Sequence, residues 1–188
     1  MNRLILVLMM LFLPSPVIAD AAAGVRKSAS CATCHGIDGN SPSWTYPTLA
    51  GQTPEYLYRQ IKDFKEGRRK SAIMQTMIAS LSDEDIRDLA DFFSSQNPER
   101  TNFRPNPDQV AVGKKIVQER QCTSCHQNAF RGNEAVPRVA GQHYTYVVRQ
   151  LRDFRDGVRT NDNGLMAFTK QLTDEQIDAL ANYLVSPY

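Results

Sequence analysis

The sequence predicts an all-α chain made of two tandem copies of one small helical unit. Three observations carry this expectation. An internal repeat covers most of the chain, apolar residues recur three and four apart behind recognisable helix starts, and no convincing run alternates apolar with polar residues.

The repeat is read residue by residue. Pro47-Thr-Leu-Ala-Gly-Gln52 returns as Pro137-Arg-Val-Ala-Gly-Gln142. Tyr56, Arg59, Gln60, Asp63, Phe64 and Gly67 return as Tyr146, Arg149, Gln150, Asp153, Phe154 and Gly157, and Leu81-Ser-Asp-Glu-Asp-Ile86 as Leu172-Thr-Asp-Glu-Gln-Ile177. The copies lie 91 residues apart at the cysteines and the final element, and 90 apart between, as in a duplication with small compensating indels.

Taken in order, residues 1–19 read as a secretory signal peptide: Arg3 ahead of an apolar run, Leu4 to Leu13, then small and apolar residues before a cut near Asp20. The run is short for a membrane span, which needs about 20 residues; an uncleaved anchor is the alternative. The first unit spans 20–96 and the second 108–188. The three prolines of 97–107, without periodicity, make that stretch a linker. A short helix is expected over Ala21 to Ser30 and again over Gln109 to Arg120. Thr53-Pro54 suits a helix start, followed on one face by Leu57, Ile61 and Phe64, matched by Val147, Leu151 and Phe154. Ser82 and Thr173 are N-cap signals, the second a capping box with Gln176. The helices they open should bury Ile86, Leu89, Ala90 and Phe93, or Ile177, Leu180, Ala181 and Leu184.

The chain has 188 residues and a formal charge of +2, which gives no electrostatic case for nucleic acid as a partner. The basic cluster Lys62, Lys65, Arg68, Arg69 and Lys70 is interleaved with Asp63 and Glu66 and reads as a solvated helix end.

The four cysteines fall as Cys31-Ala-Thr-Cys34-His35 and Cys122-Thr-Ser-Cys125-His126, although the chain holds only 3 histidines. C-x-x-C-H is the attachment signature of a c-type haem. Cysteines one helical turn apart can both reach one porphyrin edge, and the following histidine then falls beneath the iron. Two disulfides, one zinc site or a thioredoxin-like pair are the competing readings. Zinc would leave both histidines unused and join halves that look self-contained, and a redox pair needs a βαβ context that is missing. The expected cofactors are therefore two covalently bound haem c groups, held by Cys31, Cys34, Cys122 and Cys125 with iron ligands His35 and His126. Units of about 80 residues sit near the lower size for independent stability, so each haem should complete its unit's core.

A low-spin electron-transfer haem needs a second strong ligand, and methionine gives a relatively high potential. Met166 follows His126 by 40 residues, in the loop before the last helix, with no rival in its half. Met74 follows His35 by 39 residues in the matching loop; Met77, its competitor, would shift the spacing to 42. Met74 and Met166 are therefore the expected second ligands. Pro47 and Pro137 are candidates for the backbone carbonyl that orients each histidine, with ordinary turn prolines as the alternative. Arg69 and Arg159, each two residues after the repeated glycine, are expected near haem propionates or, alternatively, as solvated loop arginines. His143 is read as a surface or packing residue at a helix start.

These motifs resemble a class I cytochrome c written twice, and most closely the cytochrome c4 family, over nearly all of the mature chain. The resemblance rests on Cys31 to Asn40 with Ser41-Pro42, both Ala-Gly-Gln segments, and Gln150-Leu-Arg-Asp-Phe154 leading into Arg159-Thr-Asn-Asp162. It implies two cytochrome c domains packed about a pseudo-twofold axis with propionate edges meeting between them, His/Met ligation, and proline carbonyls bonded to the ligand histidines. The loop Arg68 to Ile73 is shorter than in many relatives, a departure on the Met74 side of the first haem.

The implied function is periplasmic electron transfer between a respiratory donor and a terminal oxidase or reductase. The implied partners are redox proteins: a membrane oxidase, a reductase or a dehydrogenase, with peripheral membrane association compatible. The runner-up is the dihaem subunit of a periplasmic oxidoreductase such as a flavocytochrome c sulfide dehydrogenase. A dihaem peroxidase ranks below both, because two methionine-ligated irons leave no open position for peroxide. No catalytic constellation appears, so the chain is expected to be an electron carrier and not an enzyme.

Overall fold

The computed structural model describes residues 21–186; the expected signal peptide, 1–19, lies outside the described residues. The first half contains α1 (Ala21–Ser28), α2 (Ala32–His35), α3 (Pro54–Lys65), α4 (Ala72–Ile78) and α5 (Asp83–Ser95). The second half repeats the order with α6 (Pro107–Glu119), α7 (Thr123–His126), α8 (Tyr144–Arg155), α9 (Asn163–Thr169) and α10 (Asp174–Val185), and adds a 3-10 turn at Asn128–Phe130. The all-α expectation holds: no strand forms among the described residues, where an isolated bridge joins Asn133 to Val136. No described helix is long and apolar enough to cross a membrane.

In each half the first helix crosses the last, α1 on α5 and α6 on α10, and the third packs against the same last helix. Glycines let the crossing helices touch. A Cβ on Gly24 would come within 2.7 Å of Asp88 O, and one on Gly113 within 2.2 Å of Ala179 O. The predicted faces of α5 and α10 are buried throughout: Ile86, Leu89, Ala90 and Phe93 in one half, Ile177, Leu180, Ala181 and Leu184 in the other. Leu57, Val147 and Phe154 are buried as well, while Ile61, Phe64 and Leu151 are half-covered.

Local chemistry differs from expectation at five helix starts. Both Ser82 and Thr173 form full capping boxes, because the Asp85 carboxylate reaches back to Ser82 N–H at 2.7 Å as Gln176 does to Thr173. Thr53 occupies the N-cap position of α3 but its hydroxyl makes no cap bond; Gln52 Oε1 instead accepts the Thr53 N–H at 3.0 Å. The methionine stretches, expected as loops, are the short helices α4 and α9, because Ser71 and Asp162 cap them by accepting Met74 N–H and Leu165 N–H. Helix α6 starts at Pro107, inside the expected linker, with Asn106 as its cap and proline in the first turn. The linker itself is tied down: Asn40 bonds Asn97 O and Glu99 N, Asn106 N donates to Asn182, and Phe103 stacks on Tyr144 at 4.5 Å.

The backbone position after each histidine separates the copies. Gly36, after the first histidine, has φ 81° and ψ 156°, and Gln127 holds the same place with φ 64° and ψ 171°. That region is essentially reserved for glycine, and a side chain there costs about 1–3 kcal/mol. Gln127 is exposed, so little packing is lost on removing its side chain. Gln127→Gly is expected to stabilise the second half by about 1 kcal/mol after the entropy of the unfolded glycine is subtracted. Denaturant unfolding of the variant against the parent checks this; an equal or lower midpoint would show that the position carries no strain.

Candidate functional site

Each C-x-x-C-H segment folds as a single helical turn. His35 N–H bonds Cys31 O at 3.0 Å and His126 N–H bonds Cys122 O at 3.1 Å, so both cysteines and the histidine of each motif share one compact turn. All four thiols are free of disulfides. Burial pushes the Cys31 and Cys122 thiols up from their ordinary values.

The histidines are held the same way in both halves. His35 Nδ1 lies 2.9 Å from Pro47 O, and His126 Nδ1 lies 3.0 Å from Pro137 O. A carbonyl only accepts, so Nδ1 carries the proton and the lone pair of Nε2 is left for another partner. Burial lowers both imidazole pKa values, against the smaller raising effect of the carbonyl bond. The neutral form that metal ligation requires is thereby favoured. The proline loops are anchored in turn: Gly39 O accepts Leu49 N–H at 2.7 Å and Ala50 N–H at 3.2 Å, while Phe130 O accepts Val139 N–H at 3.0 Å and Ala140 N–H at 3.3 Å.

Met74 and Met166 sit in the first turn of α4 and α9, and both are half-buried. Met77 is 48% exposed. Among the described residues no group of three or more His, Cys, Asp and Glu side chains gathers into a metal cluster; each motif stays within its own half. A turn carrying two free thiols, an oriented neutral imidazole and a separate half-covered thioether is the donor set of a thioether-linked haem, and the residues fit that group.

The resemblance implies a pseudo-twofold meeting of the halves, and the structure names the residues that make it. The chain turns back after the repeated glycines, with Arg69 N–H on Asp63 O at 2.9 Å and Arg159 N–H on Asp153 O at 2.8 Å. This turn sends both guanidinium groups into the interface, where they are 8% and 7% exposed; the solvated-loop alternative is corrected. Arg69 donates to Gln60 Oε1 at 2.9 Å, Gln150 Oε1 at 2.7 Å and Tyr146 OH at 2.8 Å. Arg159 donates to Gln150 Oε1 at 2.7 Å, Gln60 Oε1 at 2.7 Å and Tyr56 OH at 3.1 Å. Each of these six bonds has its reciprocal, as a twofold relation requires, while Asn161, which bonds Gln60 and Asp63 of the first half, has none. Burial would raise the Tyr56 phenol pKa, but the charges of Arg159 and Arg69 outweigh it and hold the phenol below its usual value. The rest of the basic cluster stays at the surface, with Lys62 paired to Asp83 and Glu66 and Arg68 to Asp63 and Glu66. His143, read as a surface or packing residue, also bridges the halves, its Nε2 3.0 Å from Ser41 O.

Comparison with known proteins agrees with this arrangement. The cytochrome c family model matches residues 20–97 and again 110–187. Cytochrome c4 of Pseudomonas aeruginosa is 38% identical over 177 residues, covering 88% of this chain and 87% of that protein. The crystal structure of reduced recombinant cytochrome c4 from Pseudomonas stutzeri superposes with a TM-score of 0.82 at 38% identity, covering 89% of this chain and 98% of the other. A protein of Stutzerimonas stutzeri named thiosulfate dehydrogenase electron acceptor is 32% identical over 177 residues, covering 84% of this chain and 78% of that one. With two cytochrome c units, two covalent haem c cofactors and the fold of these carriers, the chain belongs to the cytochrome c4 family and is an electron carrier, not an enzyme.

Proposed function

We propose that the chain moves electrons in the periplasm between a respiratory donor and a terminal oxidase or reductase, through two haem sites in units 20–96 and 108–188 joined by 97–107. In this reading Cys31 and Cys34, and Cys122 and Cys125, form the thioether links. His35 and Met74 bind the first iron, and His126 and Met166 the second. Each haem, when bound, supplies a one-electron iron couple. The chain's own part is to orient and to cover. Pro47 and Pro137 carbonyls fix the imidazoles and raise their basicity, and methionine thioethers favour the reduced iron and so a relatively high potential.

The observation that carries the proposal is the bond from histidine Nδ1 to a proline carbonyl, found in both copies behind a C-x-x-C-H turn. The half-covered Met74, set against the exposed Met77, supports the methionine assignment. The hydrogen bonds of the buried Arg69 and Arg159 guanidinium groups go to neutral side chains, so their charge, which Asp153 feels at Arg69, would act on haem propionates at a distance. A second reading is supported by the relative named as an electron acceptor of thiosulfate dehydrogenase: the donor would then be a dehydrogenase of sulfur compounds, with this chain as its dihaem subunit.

Purifying the exported protein from its native cells tests both readings. A shuttle should elute alone, lack residues 1–19, and carry the mass of two haems. One haem or none would overturn the site assignment, and stable co-purification with a dehydrogenase would favour the subunit.

A further inference from the structure

The glutamines of the two Ala-Gly-Gln segments are each turned into the opposite half. Gln142 Oε1 accepts the Thr48 N–H at 2.9 Å while its Nε2 donates to Thr48 O at 2.9 Å. Reciprocally, Gln52 Oε1 accepts the Arg138 N–H at 2.6 Å and its Nε2 donates to Arg138 O at 2.8 Å. Both side chains are 7% exposed.

The residues they grip are informative. Thr48 follows Pro47, and Arg138 follows Pro137. Pro47 C=O and Thr48 N–H therefore belong to one peptide unit, which is planar and resists rotation about its C–N bond. One end of that plane accepts His35 Nδ1–H and the other is held by Gln142 from the second half. The plane of Pro137 and Arg138 likewise joins His126 to Gln52 of the first half. A peptide that donates at one end is a better acceptor at the other, since hydrogen bonds in series polarise one another.

We infer that Gln142 is a positioning residue for His35, and Gln52 for His126, so that each half sets the imidazole orientation and the potential at the other half's iron. The inference rests on the ligand assignment proposed above. A carbonyl bonded to Nδ1–H makes the imidazole more basic, which stabilises oxidised iron. Loss of the glutamine frees the peptide plane, weakens that bond and raises the potential. Each Oε1 also accepts the next N–H of its own chain, at Thr53 or His143. Simple local damage would therefore appear in the glutamine's own half, whereas the positioning role appears across the interface.

The test uses the full-length dihaem protein, with each haem identified through the NMR resonances of its own histidine ring. Paramagnetically shifted His35 and His126 rings in the parent decide the ligand assignment independently of either glutamine. Gln142→Ala is expected to shift the His35 Nδ1–H resonance and raise the reduction equilibrium constant of the first haem about tenfold, ~59 mV for one electron. The second haem should move far less, and Gln52→Ala should give the mirror image. If the alanine variant loads haem poorly, Gln142→Met fills the space without an acceptor and reads the same effect. A shift confined to the glutamine's own half, equal shifts at both haems, or no shift at either would overturn the inference.

Discussion

Replacing Met74 by leucine is expected to remove the methionine-to-iron absorption band from one of the two haems and to lower that haem's potential. The fall should exceed tenfold in the reduction equilibrium, more than ~59 mV for one electron. The exchange keeps side-chain volume, so its cost in packing should stay below about 1.5 kcal/mol and the variant should still fold. Met166→Leu should do the same to the other haem. Met77→Leu should leave both bands intact, because this side chain is 48% exposed and its place in α4 lies three residues beyond Met74. The helices sharpen the comparison. Their caps, Ser71 and Asp162, and their last residues, Ile78 and Thr169, match at an offset of 91, whereas Met74 and Met166 stand 92 apart. The two thioethers therefore leave their helices about one residue, ~100°, out of phase. A lost band in Met77→Leu with an intact one in Met74→Leu would show that this phase difference disqualifies Met74.

The second large effect is expected from Arg159. Its guanidinium bonds both glutamines, Tyr56 and Asn161, and lies over the Phe154 ring at 4.3 Å. Arg159→Gln leaves buried acceptors on both halves short of donors and should cost about 2–4 kcal/mol in unfolding. If the guanidinium also serves haem propionates, the same change lowers both midpoint potentials, because a fixed positive charge favours the reduced iron. Arg159→Lys separates the two roles: it keeps the charge but loses the planar fork. Stability should fall while the potentials hold. Potentials unchanged in Arg159→Gln would remove the propionate role; unchanged stability would mean that the interface does not depend on this network.

Much of the fold and the site was legible in the linear sequence, for identifiable reasons. The apolar faces of α5 and α10 and the capping signals at Ser82 and Thr173 depend on neighbours within four residues, where helical geometry is fixed, and the repeat is visible once the two halves are aligned. The C-x-x-C-H motifs are local in the same sense, and the proline spacing was enough to nominate Pro47 and Pro137, whose carbonyls the structure places on His35 and His126. The capping bond expected of the Thr53 hydroxyl does not form, and the methionine loops proved helical because Ser71 and Asp162 supply caps.

By itself, then, the sequence determined what each half is: an all-helical unit with a haem-attachment turn, a candidate proline to orient its histidine and a methionine at closely matching spacing. Only the tertiary structure decided how the halves address each other. The Gln142 contact with Thr48 spans 94 residues and the Arg159 contact with Tyr56 spans 103, and no periodicity in the chain encodes a partner so remote. A glutamine or arginine in a repeat looks the same whether it faces water or a neighbouring unit. The two differ only once packing removes the water and each buried polar group must find its hydrogen bonds in the other half.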